Sequence, residues 1–365
     1  MKLKNLFLGA VAGLLAVSFT ACSSDDQGTI VKVPTLESIN SRCFILNSGK
    51  SKDNNAGLAF YAPNKELGLL KDIYEVANAK KMGDTGQSII YQDGYMYIIL
   101  SGSKKLLKLD SEGKEVKSMS FSTEDGVPRY LVYAGGKLYV TLWSNKVVRI
   151  DADTFDKEAY VSVGVRPEEI TTMNNKLFVA NSGVSSNRGN TVSEIDLATF
   201  TVAKTHTVDM NPNCVTTANG NVFVISRGNY NDIKSSFQKI SLADGTSTSL
   251  GRATHMGVYK NVVYVVDSYT DWYSESKLTK NTFYSYDTTT GAVNQTSFLK
   301  NIPEVLQSTS IYMFEVSSVD GSIYIGTSDY KTNGDIYRFD AQGNFVEKFD
   351  CGGINPIEAV FFTKK

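Results

Sequence analysis

The chain has 365 residues, of which 42% are hydrophobic and 21% charged, with 37 Lys and Arg against 38 Asp and Glu. This balance excludes a disordered chain, and the near-zero net charge gives no sign of a nucleic-acid binder. The 29 Gly, 20 Tyr and 18 Phe favour many short strands joined by tight turns, because aromatic residues suit strands and glycine supplies positive φ. We therefore predict an all-β fold.

The N-terminus, residues 1–21, has the features of an export signal. A short apolar run follows Lys2 and Lys4, and small residues lead up to Cys22. The pattern resembles a bacterial lipoprotein signal, which implies that Cys22 is lipidated and becomes the first residue of the mature chain. An ordinary secretory signal followed by a free cysteine is the alternative.

Residues 22–38 are predicted to be a polar tether. They begin Cys22-Ser23-Ser24-Asp25-Asp26, which looks like the export tag of surface lipoproteins of gut anaerobes. The resemblance implies a lipid-anchored protein on the outer membrane, facing outward. Without the two lysines of the signal, the mature chain carries 35 basic and 38 acidic residues, so its charge of −3 favours neither nucleic acid nor an anionic membrane surface as a partner.

Residues 39–365 are predicted to form one domain built from a repeat. A Gly or Asn turn precedes an aromatic residue flanked by β-branched residues, as in Gly136-Lys137-Leu138-Tyr139-Val140. The aromatic markers lie at positions 44, 97, 139, 178, 223, 264 and 324, so the steps between them range from 39 to 60 residues. Steps of about 40–50 residues are typical of propeller blades.

Each repeat predicts four antiparallel strands, so the seven repeats predict a seven-bladed β-propeller. The third strand ends in a hydrophobic-Asp pair, whose Asp we expect to cap its own hairpin turn. Asp151-Ala152-Asp153 is such a turn rather than a calcium loop, because the required Gly and Glu are missing. A final strand, Ile357 to Phe362, has no blade of its own, and we expect it to close the ring beside residues 43–47.

The repeats resemble those of the YncE-like seven-bladed propellers, a group that includes the quinoprotein amine dehydrogenase type, over roughly residues 40–362. With the lipoprotein signal and tag, the chain looks closest to surface propeller lipoproteins of gut anaerobes that bind vitamin B12. That resemblance implies a face that binds cobalamin or another corrinoid, and a TonB-dependent outer-membrane receptor as partner. It implies no cofactor other than the transported corrinoid, and it supplies no residue-level motif.

Propeller geometry predicts where a ligand binds. The lead-in segments before each innermost strand and the loops between the second and third strands meet at one face, where ligand sites usually lie. Four lead-in segments carry a proline, which we interpret as a rigid turn that fixes its neighbours. The predicted ligand-binding residues at this face are Gln87, Arg129, Trp143, Arg166, Asn181, Arg188, Asn213, Arg227, Tyr230, His255, Asp267, Tyr269, Trp272, Tyr273, Phe314 and Asn355.

These residue types suit a large, amide-rich and nearly neutral ligand. Aromatic rings can cover a corrin or sugar face, amides can pair with amides, and arginine can hold a phosphate. Both tryptophans, Trp143 and Trp272, fall in the loops, although packing against neighbouring loops is an alternative for them. Carbohydrate fits almost as well, so a glycan- or protein-binding surface scaffold stays open.

Catalysis and metal binding have little support in the sequence. We find no HExxH, CxxC, Walker A or GxSxG motif. His206 lies in an alternating strand and is predicted to be structural, whereas His255 at a lead-in segment could act as a base or ligate cobalt. Propeller lyases that open cyclic antibiotics use such a histidine, so a lyase is the second alternative. Cys43, Cys214 and Cys351 are predicted to be free thiols because their strands lie apart.

Overall fold

The computed structural model describes residues 39–63, 68–270 and 278–363. Within these ranges the chain forms seven four-stranded antiparallel sheets, which are the blades of a β-propeller. The fold predicted from the repeats is confirmed. The described ranges also contain two short helices, α1 (Ile73–Asn78) and α2 (Val305–Ser308), and neither is long and apolar enough to cross a membrane.

Four strands make up each blade, and six of the seven blades use consecutive strands. Blade 1 is the exception: it contains β1 (Ser41–Asn47), β2 (Gly57–Tyr61), β3 (Leu69–Leu70) and, as its innermost strand, β28 (Pro356–Thr363). Blade 2 contains β4 (Gly86–Gln92), β5 (Tyr95–Leu100), β6 (Lys105–Leu109) and β7 (Glu115–Ser120). Blade 3 contains β8 (Pro128–Ala134), β9 (Lys137–Leu142), β10 (Lys146–Asp151) and β11 (Lys157–Ser162). Blade 4 contains β12 (Pro167–Met173), β13 (Lys176–Val184), β14 (Asn187–Asp196) and β15 (Thr201–Thr207).

The other three blades follow the same order. Blade 5 contains β16 (Pro212–Ala218), β17 (Asn221–Ser226), β18 (Ser236–Ile240) and β19 (Ser247–Gly251). Blade 6 contains β20 (His255–Tyr259), β21 (Val262–Thr270), β22 (Thr279–Asp287) and β23 (Ala292–Asn294). Blade 7 contains β24 (Ile311–Val316), β25 (Ile323–Thr327), β26 (Asp335–Phe339) and β27 (Phe345–Asp350).

The aromatic markers pack the blades against each other. All but Tyr264 are buried. The ring of Phe223 in blade 5 meets Tyr286 of blade 6 edge-on, with centroids 5.4 Å apart, and Tyr139 in blade 3 lies 5.7 Å from Phe200 in the turn after β14 of blade 4. The repeated aromatic residue thus marks a position at which neighbouring blades contact each other, and the aromatic pairs there add to the buried apolar area.

The hydrophobic-Asp pairs end the third strands, as predicted. In each of the five turns one carboxylate oxygen accepts two backbone N–H bonds from the residues that follow, which holds the hairpin closed. The aspartates that do this are Asp110, Asp151, Asp196, Asp287 and Asp340.

The C-terminal strand closes the ring, as predicted. β28 pairs antiparallel with β1, with Ser41 opposite Thr363 at one end. The ring of Phe362 stacks on Phe44 in blade 1 at 5.8 Å and on Tyr91 in blade 2 at 3.5 Å. The two ends of the propeller domain are therefore joined by backbone pairing and by a shared aromatic stack.

The seven innermost strands contact one another around the axis. In six blades the pairing of the innermost with the second strand shifts register near one end, and such a bulge re-aims the side chains beside it. Pro128, Pro167, Pro212 and Pro356 are each the first residue of an innermost strand, a place that needs no ladder donor. The structure places these prolines at strand starts, and the rigid turn expected there stays a prediction.

Candidate functional site

A cavity of about 460 Å³ opens on the face where the lead-in segments meet the loops between second and third strands. Its walls come from the innermost strands around the axis and from loops of blades 5, 6 and 7. Seven of the sixteen predicted ligand-binding residues line it, namely Gln87, Asn213, Arg227, Tyr230, His255, Tyr269 and Phe314. The structure brings these seven together, and their role in ligand binding stays a prediction.

Three predicted residues form a stack beside the cavity instead. The indole ring of Trp143 lies 4.4 Å from the Arg129 guanidinium and 4.6 Å from that of Arg166. Its Nε1–H donates to Glu168 at 3.0 Å, and Arg129 Nε donates to the same carboxylate at 2.9 Å. Trp143 therefore packs against neighbouring loops, which is the alternative that the sequence left open.

Two predicted asparagines are buried in the scaffold and do not line the cavity. The Asn181 amide donates to the hydroxyls of Thr191 and Ser193 in its own blade, and the Asn355 amide donates to the backbone oxygen of Gly49. A buried amide needs hydrogen-bond partners, and both asparagines find theirs in the surrounding strands and loops. Their side chains therefore stabilise the scaffold.

The remaining predicted residues lie at the rim or outside the described residues. Arg188 covers the Tyr230 ring at 5.0 Å, and Asp267 pairs with Arg252 at 3.4 Å; neither lines the cavity. Trp272 and Tyr273 lie outside the described residues, as does Cys22.

Three glutamates that were not predicted from the sequence line the cavity. Glu169, Glu315 and Glu358 lie on β12, β24 and β28, the innermost strands of blades 4, 7 and 1. Glu169 accepts a hydrogen bond from the backbone N–H of Val215 at 2.9 Å, and Glu358 accepts one from that of Ile89 at 2.5 Å. Each of these two carboxyls thus reaches the innermost strand of the next blade.

The carboxyl groups of the three glutamates resist ionisation. Burial, followed by the charge of Glu358, raises the pKa of Glu169 to about 8. Burial also raises the pKa of Glu315 and of Glu358, and the negative charges of Glu358 and Glu169 add to the effect on Glu315. At neutral pH the carboxyl of Glu169 is therefore mostly protonated and can donate a hydrogen bond, whereas Glu358, with a pKa of about 7, is partly ionised.

His255 is neutral in the same cavity. Burial, followed by the positive charge of Arg227, lowers the pKa of its imidazole to about 3. Its Nδ1 lies 2.9 Å from the Thr254 hydroxyl, and the ring also bonds with the backbone of Tyr312. The imidazole is thus fixed by two neighbours. His206, by contrast, is buried with Nε2 at 2.7 Å from Glu194, which confirms its predicted structural role.

One signal in the sequence points to the glutamates. Two of them interrupt an innermost strand between apolar residues, as in Phe314-Glu315-Val316 and Ile357-Glu358-Ala359. A carboxylate in such a strand is costly to bury unless it has a partner or a function. The partner of Glu358 lies in the next blade, however, so only the assembled ring shows it.

No metal-binding group and no disulfide is found among the described residues. No three His, Cys, Asp or Glu side chains within the described ranges are placed to hold a metal ion. Cys43, Cys214 and Cys351 are free thiols there, and Cys214 lines the cavity, where burial raises the pKa of its thiol to about 12.

No protein-family model and no curated protein matches the chain. Solved structures do match, and those named below are distant in sequence. Hydrazine synthase of Kuenenia stuttgartiensis has a TM-score of 0.58 at 16% identity, covering 70% of this chain and 76% of that chain. The computationally designed Ika8 protein has a TM-score of 0.54 at 11% sequence identity, and the match covers 87% of this chain and 89% of that chain. BamB from Moraxella catarrhalis has a TM-score of 0.50 at 12% sequence identity, and the match covers 85% of this chain and 83% of that chain. These similarities show the propeller fold alone.

Proposed function

We propose that this protein is a lipid-anchored surface propeller that captures cobalamin or another corrinoid and passes it to a TonB-dependent outer-membrane transporter. The observation that carries the proposal is the cavity on the lead-in face, which combines aromatic rings with amides and a neutral imidazole. The resemblance of residues 1–22 to a lipoprotein signal and the resemblance of the repeats to YncE-like propellers support the transport role.

The lining suits a ligand that is larger than the cavity and covers its mouth. Tyr230 and Tyr330 line the cavity and are 59% and 54% exposed, so their rings offer apolar faces to a flat macrocycle. Deeper in, the Asn213 amide and the protonated carboxyl of Glu169 can pair with peripheral amides of such a ligand. The macrocycle would lie across the rim, with one side group inserted.

Calorimetric titration of the mature chain (residues 22–365, with Cys22→Ser to prevent lipidation) with cyanocobalamin tests this. We expect one-to-one binding that Tyr230→Ala weakens roughly 30-fold, since truncating an aromatic anchor costs about 2 kcal/mol. Tyr160→Ala is the matched control, because Tyr160 is also exposed but lies on the outermost strand of blade 3. No heat and no retention of the red ligand on the protein would refute the proposal.

A second candidate, a lyase, rests on one observation. The cavity places a neutral imidazole, His255, and a carboxyl that is mostly protonated at neutral pH, Glu169, within one lining, and these are the group types that serve as base and acid, with the low pKa of His255 making it a weak base. Incubation with a cyclic depsipeptide antibiotic, followed by mass spectrometry, tests it. Ring opening that His255→Gln abolishes would favour the lyase; an intact ring after prolonged incubation would reject it.

A further inference from the structure

Arg227 is a half-buried cation in the cavity wall that has no paired anion among the described residues. Its Nε is buried without a hydrogen-bond partner, and its Nη2 reaches only the Sγ of Cys214, at 3.9 Å. No described carboxylate lies within ion-pair distance of its guanidinium. Buried guanidinium groups normally have such a partner, because an unpaired buried charge is strongly destabilising. The cavity wall therefore contains a guanidinium whose charge and Nε–H no described group satisfies.

A second cation in the lining lacks an ion pair in the described part of the chain. Lys234 Nζ donates to the backbone oxygen of Asn231 at 2.6 Å and to the Tyr269 hydroxyl at 3.1 Å, both neutral groups. Arg252 beside it differs, because it pairs with Asp267. The cavity lining thus contains two positive charges that no described carboxylate neutralises by direct contact.

The three glutamates decide the net charge of the described lining. With Glu169, Glu315 and Glu358 all ionised, the two cations leave a net charge of −1; with all three protonated the charge is +2. Burial raises the pKa of all three, to about 8 for Glu169 and to about 7 for Glu358, so the lining loses positive charge as the pH rises through the neutral range.

The other groups around these carboxyls oppose the rise in pKa only in part. At Glu169 the hydrogen bonds from the Val215 N–H and from Cys214 and the charge of Arg227 lower the pKa, but by less than burial raises it. At Glu358 the N–H of Ile89 and the hydroxyl of Ser88 act in the same way. At Glu315 the backbone N–H of Ala359 lowers the pKa, and the charge of Glu315 in turn raises the pKa of the Cys43 thiol. The other described titratable side chains of the lining are the imidazole of His255, which its lowered pKa keeps neutral, and the hydroxyls of Tyr130, Tyr230, Tyr269, Tyr312 and Tyr330. The Arg129–Glu168 ion pair lies behind them.

We propose that the cavity contains an anion subsite centred on Arg227, which takes a phosphate, sulfate or carboxylate group of the ligand and is occupied only while the surrounding glutamates are protonated. The inference deepens the proposed function, since it rests on the same cavity being a ligand site, but it does not require a corrinoid. Arg227 supplies the fork of N–H donors that fits such an oxyanion. Ionised glutamates would repel the anion, so anion binding and proton binding favour each other.

Dimethyl phosphate is the probe, because it carries one negative charge throughout the neutral pH range and does not titrate itself there. Its affinity for the mature chain can be measured by ³¹P NMR at pH 5.5, 7.0 and 8.5 and constant ionic strength. We expect the affinity to fall at least tenfold from pH 5.5 to 8.5. Arg227→Gln should abolish binding at every pH, and Arg149→Gln, a change of a surface arginine that pairs with Glu158, should leave it unaltered.

Two further variants separate the subsite from a loss of folding. Arg227→Lys keeps a charge and should retain weakened binding, and Glu169→Gln should reduce the fall in affinity with pH because one repelling charge cannot form. Thermal unfolding confirms that each variant is folded. An affinity that does not change with pH in the unaltered protein, or binding that survives Arg227→Gln, would overturn the inference.

The same variants distinguish this inference from the proposed function. Cyanocobalamin binding without any response to dimethyl phosphate would overturn the anion subsite and leave corrinoid capture standing. A pH-dependent response to dimethyl phosphate without cyanocobalamin binding would confirm the subsite and reject corrinoid capture.

Discussion

The side chains around the axis have to satisfy backbone donors that no strand can reach. An innermost strand has no neighbour on its axis side, so N–H groups there need other partners. Glu169 provides one for Val215 in blade 5, and Glu358 provides one for Ile89 in blade 2. These glutamates therefore join blades while they line the cavity, and the same burial that raises their pKa makes them responsive to pH.

Glu169 makes stability depend on pH in a defined direction. Its pKa of about 8 in the folded protein lies above the ordinary value, so its contribution is fully present below the unfolded pKa and is lost as pH rises through 8. The free energy of unfolding should fall by up to about 1.4 kcal/mol per pH unit for this proton over that window.

Glu169→Gln tests this effect, because the amide oxygen can still accept the Val215 N–H bond and the amide cannot ionise. Urea unfolding at pH 5, 6.5 and 8 should show a shallower pH dependence for the variant than for the unaltered protein. Glu158→Gln, on the surface of blade 3, is the control. Identical slopes for Glu169→Gln and the unaltered protein would show that the carboxyl is ionised throughout.

At the scale of elements, five of the described hairpins between third and fourth strands depend on one aspartate each. Asp196 accepts the backbone N–H groups of Ala198 and Thr199, both at 2.9 Å, and the Thr199 hydroxyl at 3.2 Å. These bonds hold the turn that places Phe200 against Tyr139 in the preceding blade. The turn thus links local geometry to packing between blades.

Asp196→Ala should lower the free energy of unfolding by about 1–2 kcal/mol, since two backbone donors lose their acceptor in an exposed turn. Chemical denaturation followed by tryptophan fluorescence measures this change in the free energy of unfolding. Asp156→Ala, in the turn after β10, should change stability by less than about 0.5 kcal/mol, because Asp151 and not Asp156 caps that turn. Equal effects of the two changes would contradict the capping role.

The elements could be predicted from the sequence far better than the site. A blade is a local unit, so its aromatic marker, its Asp turn and its proline start all lie within one repeat and recur. Side-chain direction at the lead-in face depends on bulges and on the neighbouring blade. That is why Asn181 and Asn355 were expected at the ligand but are buried, and why Glu358, whose partner is in blade 2, was missed.

For the whole molecule, the pairing of β28 with β1 decides whether the ring is closed. Removing residues 356–365 would delete the innermost strand of blade 1 and the Phe362 ring that stacks on Phe44 and Tyr91. It would also leave the edge of β1 unpaired and remove the Glu358 carboxyl that accepts the Ile89 N–H bond of blade 2. Closure of the ring therefore contributes to both stability and solubility.

We expect this truncated chain to aggregate or to unfold at a much lower temperature, as measured by size-exclusion chromatography and thermal melts. Removal of the last two residues alone, which follow β28, should leave the elution volume and the melting temperature unchanged. A monomeric truncated chain with an unaltered melting temperature would show that β28 is dispensable.

The central claim is that the cavity on the lead-in face holds the ligand, and the anomalous scattering of cobalt tests it most directly. In crystals of the mature chain grown with cyanocobalamin, we predict one anomalous peak above the cavity mouth, next to Tyr230 and Tyr330. A peak at the opposite face or at the outer edge of a blade, or no peak at saturating ligand, would contradict it.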